Sequence, residues 1–188
     1  AIYYYYWILS TEEITEIKIG GILPLTPPGA YECGRDGALI GDITCEIINE
    51  RGGVLGRPIK LIIYDTMGTA ERGVAVAEKL ILEDKVPIIV GGLHSTVGLA
   101  VADVVHKYHI PWVNVGCSAD RIRELSYDEV FSSITQSAGN VEAIAGFLEQ
   151  QHNLGRVDRV AVFIENSDWG ILLWEKLKPA LQEAGIQV

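Results

Sequence analysis

Short runs of uninterrupted apolar, largely β-branched residues alternate along this chain with longer stretches whose apolar residues recur every three to four positions. This alternation constrains the fold more than any other feature of the sequence. A strand that is apolar at every residue must be covered on both faces, and helices between such strands can cover it. The strand-like runs fall at residues 17–23, 59–64, 86–90, 111–115, 128–132 and 160–164. Helical spacing runs through 35–50, 70–83, 95–108, 138–151 and 170–184; in the third of these the apolar set is Val97, Val101, Val104, Val105 and Tyr108. Pro24 stops the first strand, and Gly52-Gly53 ends the first helix. The prediction is an α/β fold, a parallel sheet assembled from right-handed βαβ units.

In such sheets ligands bind beyond the carboxyl ends of the strands. Four loops occupy those ends here: 24–31, 65–69, 91–96 and 116–121. The third is the most informative. Gly91 and Gly92 let the backbone turn tightly and let a ligand approach closely. Ser95 and Thr96 then open a helix, whose first turn carries unpaired N–H groups and the positive end of the dipole. A hydroxyl pair at that point caps the helix, holds a carboxylate, or does both.

The 188 residues suffice for one large domain or one and a fraction, and 48% hydrophobic residues give it a core. A net charge of -10 without any dense Lys/Arg run argues against nucleic acid and against an anionic membrane surface as partners. Cys33, Cys45 and Cys117 have neither Cys-x-x-Cys spacing nor a disulfide framework, and His94, His106 and His109 share no helical face with them, so the spacing points to no metal ligands. The opening AIYYYYWIL is too short to span a bilayer and lacks the flanks of a signal peptide. No Gly-x-Gly-x-x-Gly, P-loop or Gly-x-Ser-x-Gly motif follows any strand, which weakens nucleotide binding and hydrolase chemistry. Asp65 and Asp120 read as caps at helix starts, with nothing to make them an acid–base pair. A boundary is expected at 131–137, and 185–188 reads as the opening of a further strand, so the chain reads as a piece of a longer protein.

Particular segments narrow the fold. They are Ile17-Lys-Ile-Gly-Gly-Ile-Leu-Pro-Leu-Thr26, Asn49-Glu-Arg-Gly-Gly-Val-Leu-Gly-Arg-Pro58, Val90-Gly-Gly-Leu-His-Ser95, Ile110-Pro-Trp-Val-Asn-Val-Gly-Cys-Ser-Ala-Asp120 and Asn166-Ser-Asp-Trp-Gly170. With them the chain resembles the type 1 periplasmic binding proteins, in particular the branched-chain amino-acid class of ABC-transporter substrate-binding proteins, from Ile17 to its end. The resemblance implies two α/β lobes that close on a ligand. Residues 17–134 would form the first lobe and 135–188 a connecting helix with the first βα unit of the second; 1–16 would be an extension of unknown role.

The resemblance also implies site roles. Ser95 and Thr96 match the position that holds a ligand carboxylate. The turn of Gly116, Cys117, Ser118 and Ala119 matches the loop whose carbonyl and hydroxyl groups take up the ligand ammonium, with Cys117 replacing a usual alanine. Tyr31 matches a position lining the side-chain pocket, a surface tyrosine being the alternative. Trp169 matches an aromatic that covers the ligand from the second lobe, a hydrophobic cap on the following helix being the alternative. His94 reads as structural or solvated. The implied ligand is an amino acid or an analogue, the implied partner is an ABC-transporter membrane permease, and the implied location of the chain is the periplasm or the cell surface. No cofactor, no metal and no catalytic residue is expected. A ligand sensor with the same fold is the second class, and an enzyme is the last.

Overall fold

The structure is a computed structural model that describes residues 16–188; the aromatic run and the rest of the 1–16 extension apart from Glu16 lie outside the described residues. Five parallel strands form one sheet: β1 (Ile17–Leu23), β2 (Ile59–Asp65), β3 (Ile89–Gly91), β4 (Trp112–Asn114) and β5 (Val130–Ser132), in the order β2-β1-β3-β4-β5. β1 pairs over its whole length with β2, from Ile17 opposite Ile59 to Leu23 opposite Asp65, and its second half pairs with β3. The strand order therefore reverses at β1/β3, where loops from the two strands diverge and leave a crevice.

Helices α1 (Tyr31–Glu50), α2 (Ala70–Leu82), α3 (Ser95–Tyr108) and α4 (Asp120–Glu124) follow β1 to β4, and α5 (Ser137–Asn153) and α6 (Asp168–Glu183) complete the described chain. α2 and α3 bury their apolar stripes on the sheet: Val76, Ala77, Leu80, Val97, Val101 and Val105 pack with Ile22, Ile89 and Trp112 in a single cluster. Thr69 caps α2 by accepting the Arg72 N–H. A second cluster joins α5 to α6 through Leu177, Leu181 and Ile186, with Val141, Ala145 and Leu148 against them. The edge strand β5 is fixed at its start by Glu129, whose carboxylate accepts His106 Nδ1 and His109 Nδ1 at 2.8 Å each. The His106 and His109 hydrogen bonds hold that carboxyl down at about 2.

Three sequence expectations need correction. The first helix begins at Tyr31 rather than at residue 35; no side chain caps it, so no capping signal marked its start, and Tyr31 N–H instead closes a turn onto Gly29 O at 2.8 Å. The 116–121 loop ends early: Asp120, expected as a helix-start cap, is instead the first residue of the short helix Asp120–Glu124, whose N-cap is Ala119. Residues 160–164 are not a strand: a strand needs a partner's backbone, and here only a parallel bridge between Arg159 and Gln187 forms. Phe163 is 97% exposed as a result.

Candidate functional site

The β3–α3 turn is built around two glycines at positive φ, Gly91 at 111° and Gly92 at 95°. A side chain on Gly91 would run into the Ile22 carbonyl, and Gly92 N–H donates to that same carbonyl at 2.8 Å. From the other side Trp112 Nε1 donates to Gly91 O at 3.1 Å. The turn is thus gripped by both neighbouring strands, and it delivers α3 with its first residues at the crevice.

There a cleft of about 620 Å³ opens. Each of the four predicted loops contributes: Pro28 and Gly29 from the first, Gly68 and Thr69 from the second, Leu93 to Thr96 from the third, Gly116 and Ser118 from the fourth. Glu71 of α2 adds to that side, and Glu165, Asn166, Ser167 and Trp169 close the opposite one. No lysine or arginine is among the lining residues.

Ser95 and Thr96 stand together at the α3 start, but neither is its N-cap. That position belongs to His94, which makes no side-chain capping bond. Ser95 is buried and its Oγ accepts the Ala119 N–H at 3.1 Å. Thr96 Oγ1 donates to Asp168 Oδ2 at 2.8 Å, joining α3 to the first turn of α6.

The fourth loop is organised by Asn114, which is fully buried. Its Oδ1 accepts Cys117 N–H at 2.8 Å and Gly116 N–H at 3.2 Å, and its Nδ2 donates to Cys117 O at 2.6 Å and to Ser132 Oγ at 3.1 Å. Cys117 and Ala119 are fully buried, so their side chains lie beneath the cleft instead of lining it. The Ser118 carbonyl takes both Ser137 N–H (2.8 Å) and Ser137 Oγ (2.9 Å), which fills its lone pairs. Ser118 lines the cleft together with Gly116. The Cys117 Sγ–H points to His94 O at 3.3 Å, and burial pushes its thiol up to about 12. Since the thiolate is the reactive form, a thiol reagent at pH 8 is expected to label exposed Cys33 in the native protein and to reach Cys117 only on unfolding. Mass mapping of the labelled peptides checks this; rapid native labelling of Cys117 would contradict the packing.

The remaining expected residues separate. Tyr31 is half-buried as the first residue of α1, with the Arg35 guanidinium 5.2 Å over its ring, and it lies outside the residues that line the cleft. Trp169 does line it, and its Nε1 is buried without a hydrogen-bond partner among the described residues. His94, read from sequence as structural or solvated, sits in the cleft wall: Nε2 accepts the Ala30 N–H at 3.2 Å and the ring wedges between Gly29 and Gly68, tying three loops together. Asp65 serves the first two loops, accepting Leu25 N–H at 2.7 Å and Met67 N–H at 2.8 Å. Burial raises its pKa, but these bonds and that from Thr26 outweigh it and leave the carboxyl below its usual value. Asp168, Glu71 and Asn114 were missed as site residues, although Asp168 stands in the Asn166–Gly170 segment and Asn114 in the Ile110–Asp120 segment.

A two-sided crevice at the switch point of a parallel sheet, lined by loops and one helix start, is the place where proteins of the α/β class bind small ligands. The chain belongs to the periplasmic binding protein family, which matches residues 16–188. A Leu/Ile/Val-binding protein homolog of Brucella abortus (strain 2308) is 27% identical over 178 residues, 92% of this chain and 44% of that protein. The leucine-, isoleucine-, valine-, threonine- and alanine-binding protein of Pseudomonas aeruginosa is 26% identical over 174 residues, 92% of this chain and 45% of the relative. Among solved structures, a leucine binding protein of Thermotoga maritima superposes with a TM-score of 0.79 at 27% identity, covering 92% of this chain and 47% of that one. A Rhodopseudomonas palustris solute binding protein in complex with 4-hydroxybenzoate also gives 0.79 at 20% identity, covering 92% and 45%, and shows the shared fold. The chain thus spans about half the length of the curated relatives it matches.

Proposed function

We propose that this chain is the ligand-gripping portion of an extracytoplasmic solute-binding protein that captures an amino acid or a related small polar molecule and presents it to an ABC importer. In this reading residues 17–134 are the first lobe and 135–188 open the second. The observation that carries it is the Ser95 hydroxyl. It lies in the cleft at the start of α3, its lone pair is engaged by Ala119 N–H, and its proton is left to donate to a carboxylate beside the helix dipole. Family membership and the leucine-binding relatives support the ligand class. Trp169 supplies an apolar surface on the facing side.

Closure follows from differential affinity: a ligand shifts the lobes together only by as much as it prefers the closed form. The test is calorimetry of the full-length protein with the common amino acids, their amides and urea. At least one amino acid is expected to bind, and Ser95→Ala to weaken it about 10- to 100-fold, the loss of one hydrogen bond to a charged group. The absence of heat with every amino acid would contradict the reading.

A further inference from the structure

Ser95 and Thr96 are neighbours in sequence and both line the cleft, yet the protein commits their hydroxyls in opposite senses. A hydroxyl has one proton to give and two lone pairs to receive with. Ser95 Oγ receives the Ala119 N–H at 3.1 Å, so its proton is left for a ligand. Thr96 Oγ1 gives its proton to Asp168 Oδ2 at 2.8 Å. A carboxylate only accepts, so the direction of this bond is fixed, and Thr96 meets a ligand with its lone pairs. The charge behind the bond polarises the hydroxyl and makes those lone pairs better acceptors.

We infer from this polarity that Asp168 is a positioning residue that sets ligand specificity. By holding the Thr96 proton it turns Thr96 into an acceptor for the ligand's amine, while Ser95 donates to the ligand's carboxylate. The cleft thereby selects α-amino acids over carboxylic acids of the same shape that lack the amine. The inference rests on the proposed capture of an amino acid. The rest of the lining agrees with it: Glu71 and Glu165 are its charged side chains, one on each side, so a ligand bringing only negative charge meets carboxylates without any cationic side chain to offset them. Asp168 belongs to α6 and Thr96 to α3, so the acceptor forms only while the two sides of the cleft stand as they do here.

The experiment is calorimetry of the full-length protein with matched pairs, L-leucine against isocaproate and L-glutamine against glutaramate, each acid being the amino acid without its α-amine. Wild-type protein is expected to prefer the amino acid of a pair. In Asp168→Asn the new amide can donate to Thr96 and return it to a donor, so amino-acid affinity should fall about tenfold, the effect of one charge-assisted contact, with the deamino acid unchanged. Asp168→Glu should keep the preference, and Thr96→Val should lose it as Asp168→Asn does. A preference unchanged in Asp168→Asn and in Thr96→Val, or an equal loss for both members of a pair, overturns the inference; equal loss is what a purely structural role gives. Wild-type protein that binds none of the amino acids contradicts the proposed function, and the inference falls with it. Wild-type binding together with an Asp168→Asn variant of wild-type preference overturns the inference alone.

Discussion

Replacing Asn114 with leucine is expected to lower stability by about 3–5 kcal/mol and to abolish ligand binding together with it. The size follows from what the amide does. It is fully buried, and among the described residues it alone satisfies Gly116 N–H, Cys117 N–H and Cys117 O, while also reaching Ser132 on the edge strand. Leucine has the same branched outline but is larger, so some overpacking adds to the loss; the main part is that of buried backbone groups left without partners, each costing about 1–3 kcal/mol. In a domain of this size 1 kcal/mol moves the thermal midpoint by about 2–4 °C, so a fall on the order of 10 °C is expected in differential scanning calorimetry. Binding fails because Asn114 fixes the Gly116–Cys117 end of the loop, and the Ser137 bonds to Ser118 O and the Ser95 bond to Ala119 N–H hold only its far end, so Gly116 and Ser118 leave their places in the cleft wall. Asn114→Asp separates the two effects. A carboxylate can still accept both N–H groups but has nothing to give Cys117 O, so its loss should be intermediate. A leucine variant that melts with the wild type would show that the loop is organised by something else.

The second large effect is at Trp112. Its side chain is the largest that is fully buried, it sits in the main cluster under α3, and its indole N–H is bonded to Gly91 O. Trp112→Ala should cost about 3–5 kcal/mol through the cavity and the lost packing. Trp112→Phe keeps most of the ring but leaves the Gly91 carbonyl only its longer bond from Val115 N–H at 3.4 Å, and should cost about 1–2 kcal/mol. The two differ in kind as well as in size. Phenylalanine disturbs the Gly91-Gly92 turn that delivers Ser95, so its ligand affinity should drop more than its modest stability loss would suggest. Denaturant unfolding gives the first quantity and titration of the same sample the second. An alanine variant within about 1 kcal/mol of wild type would mean that this core is far looser than the close contacts of Trp112 with Gly91 and Gly92 allow.

The parallel sheet was legible in the sequence because its strands are apolar at successive residues, which few other arrangements tolerate. The four loops of the cleft were legible for a related reason: strand order and direction fix which loops share an end of a sheet, whatever their residues. What failed is what depends on contacts rather than on periodicity. Residues 160–164 have a strand's composition, but composition supplies no partner, and here only Arg159 finds one. Tyr31 carried no mark of a helix start because α1 is uncapped by any side chain. Cys117 sat in the right loop, but a two-residue hydrogen-bonded turn onto Asn114 decides which neighbour faces in, and it buries Cys117 while leaving Ser118 in the wall. Asp168 is distant from Thr96 in sequence, and no local pattern could reveal that one hydroxyl would be polarised by it while the adjacent one was polarised by Ala119.

The most direct measurement is a crystal structure of the full-length protein with a bound amino acid. The account predicts the ligand carboxylate within hydrogen-bond distance of Ser95 Oγ at the first turn of α3, with its amine turned toward Thr96 and Trp169 covering it from the facing side. Density for the ligand outside this cleft, or a carboxylate directed away from the start of α3, would contradict it.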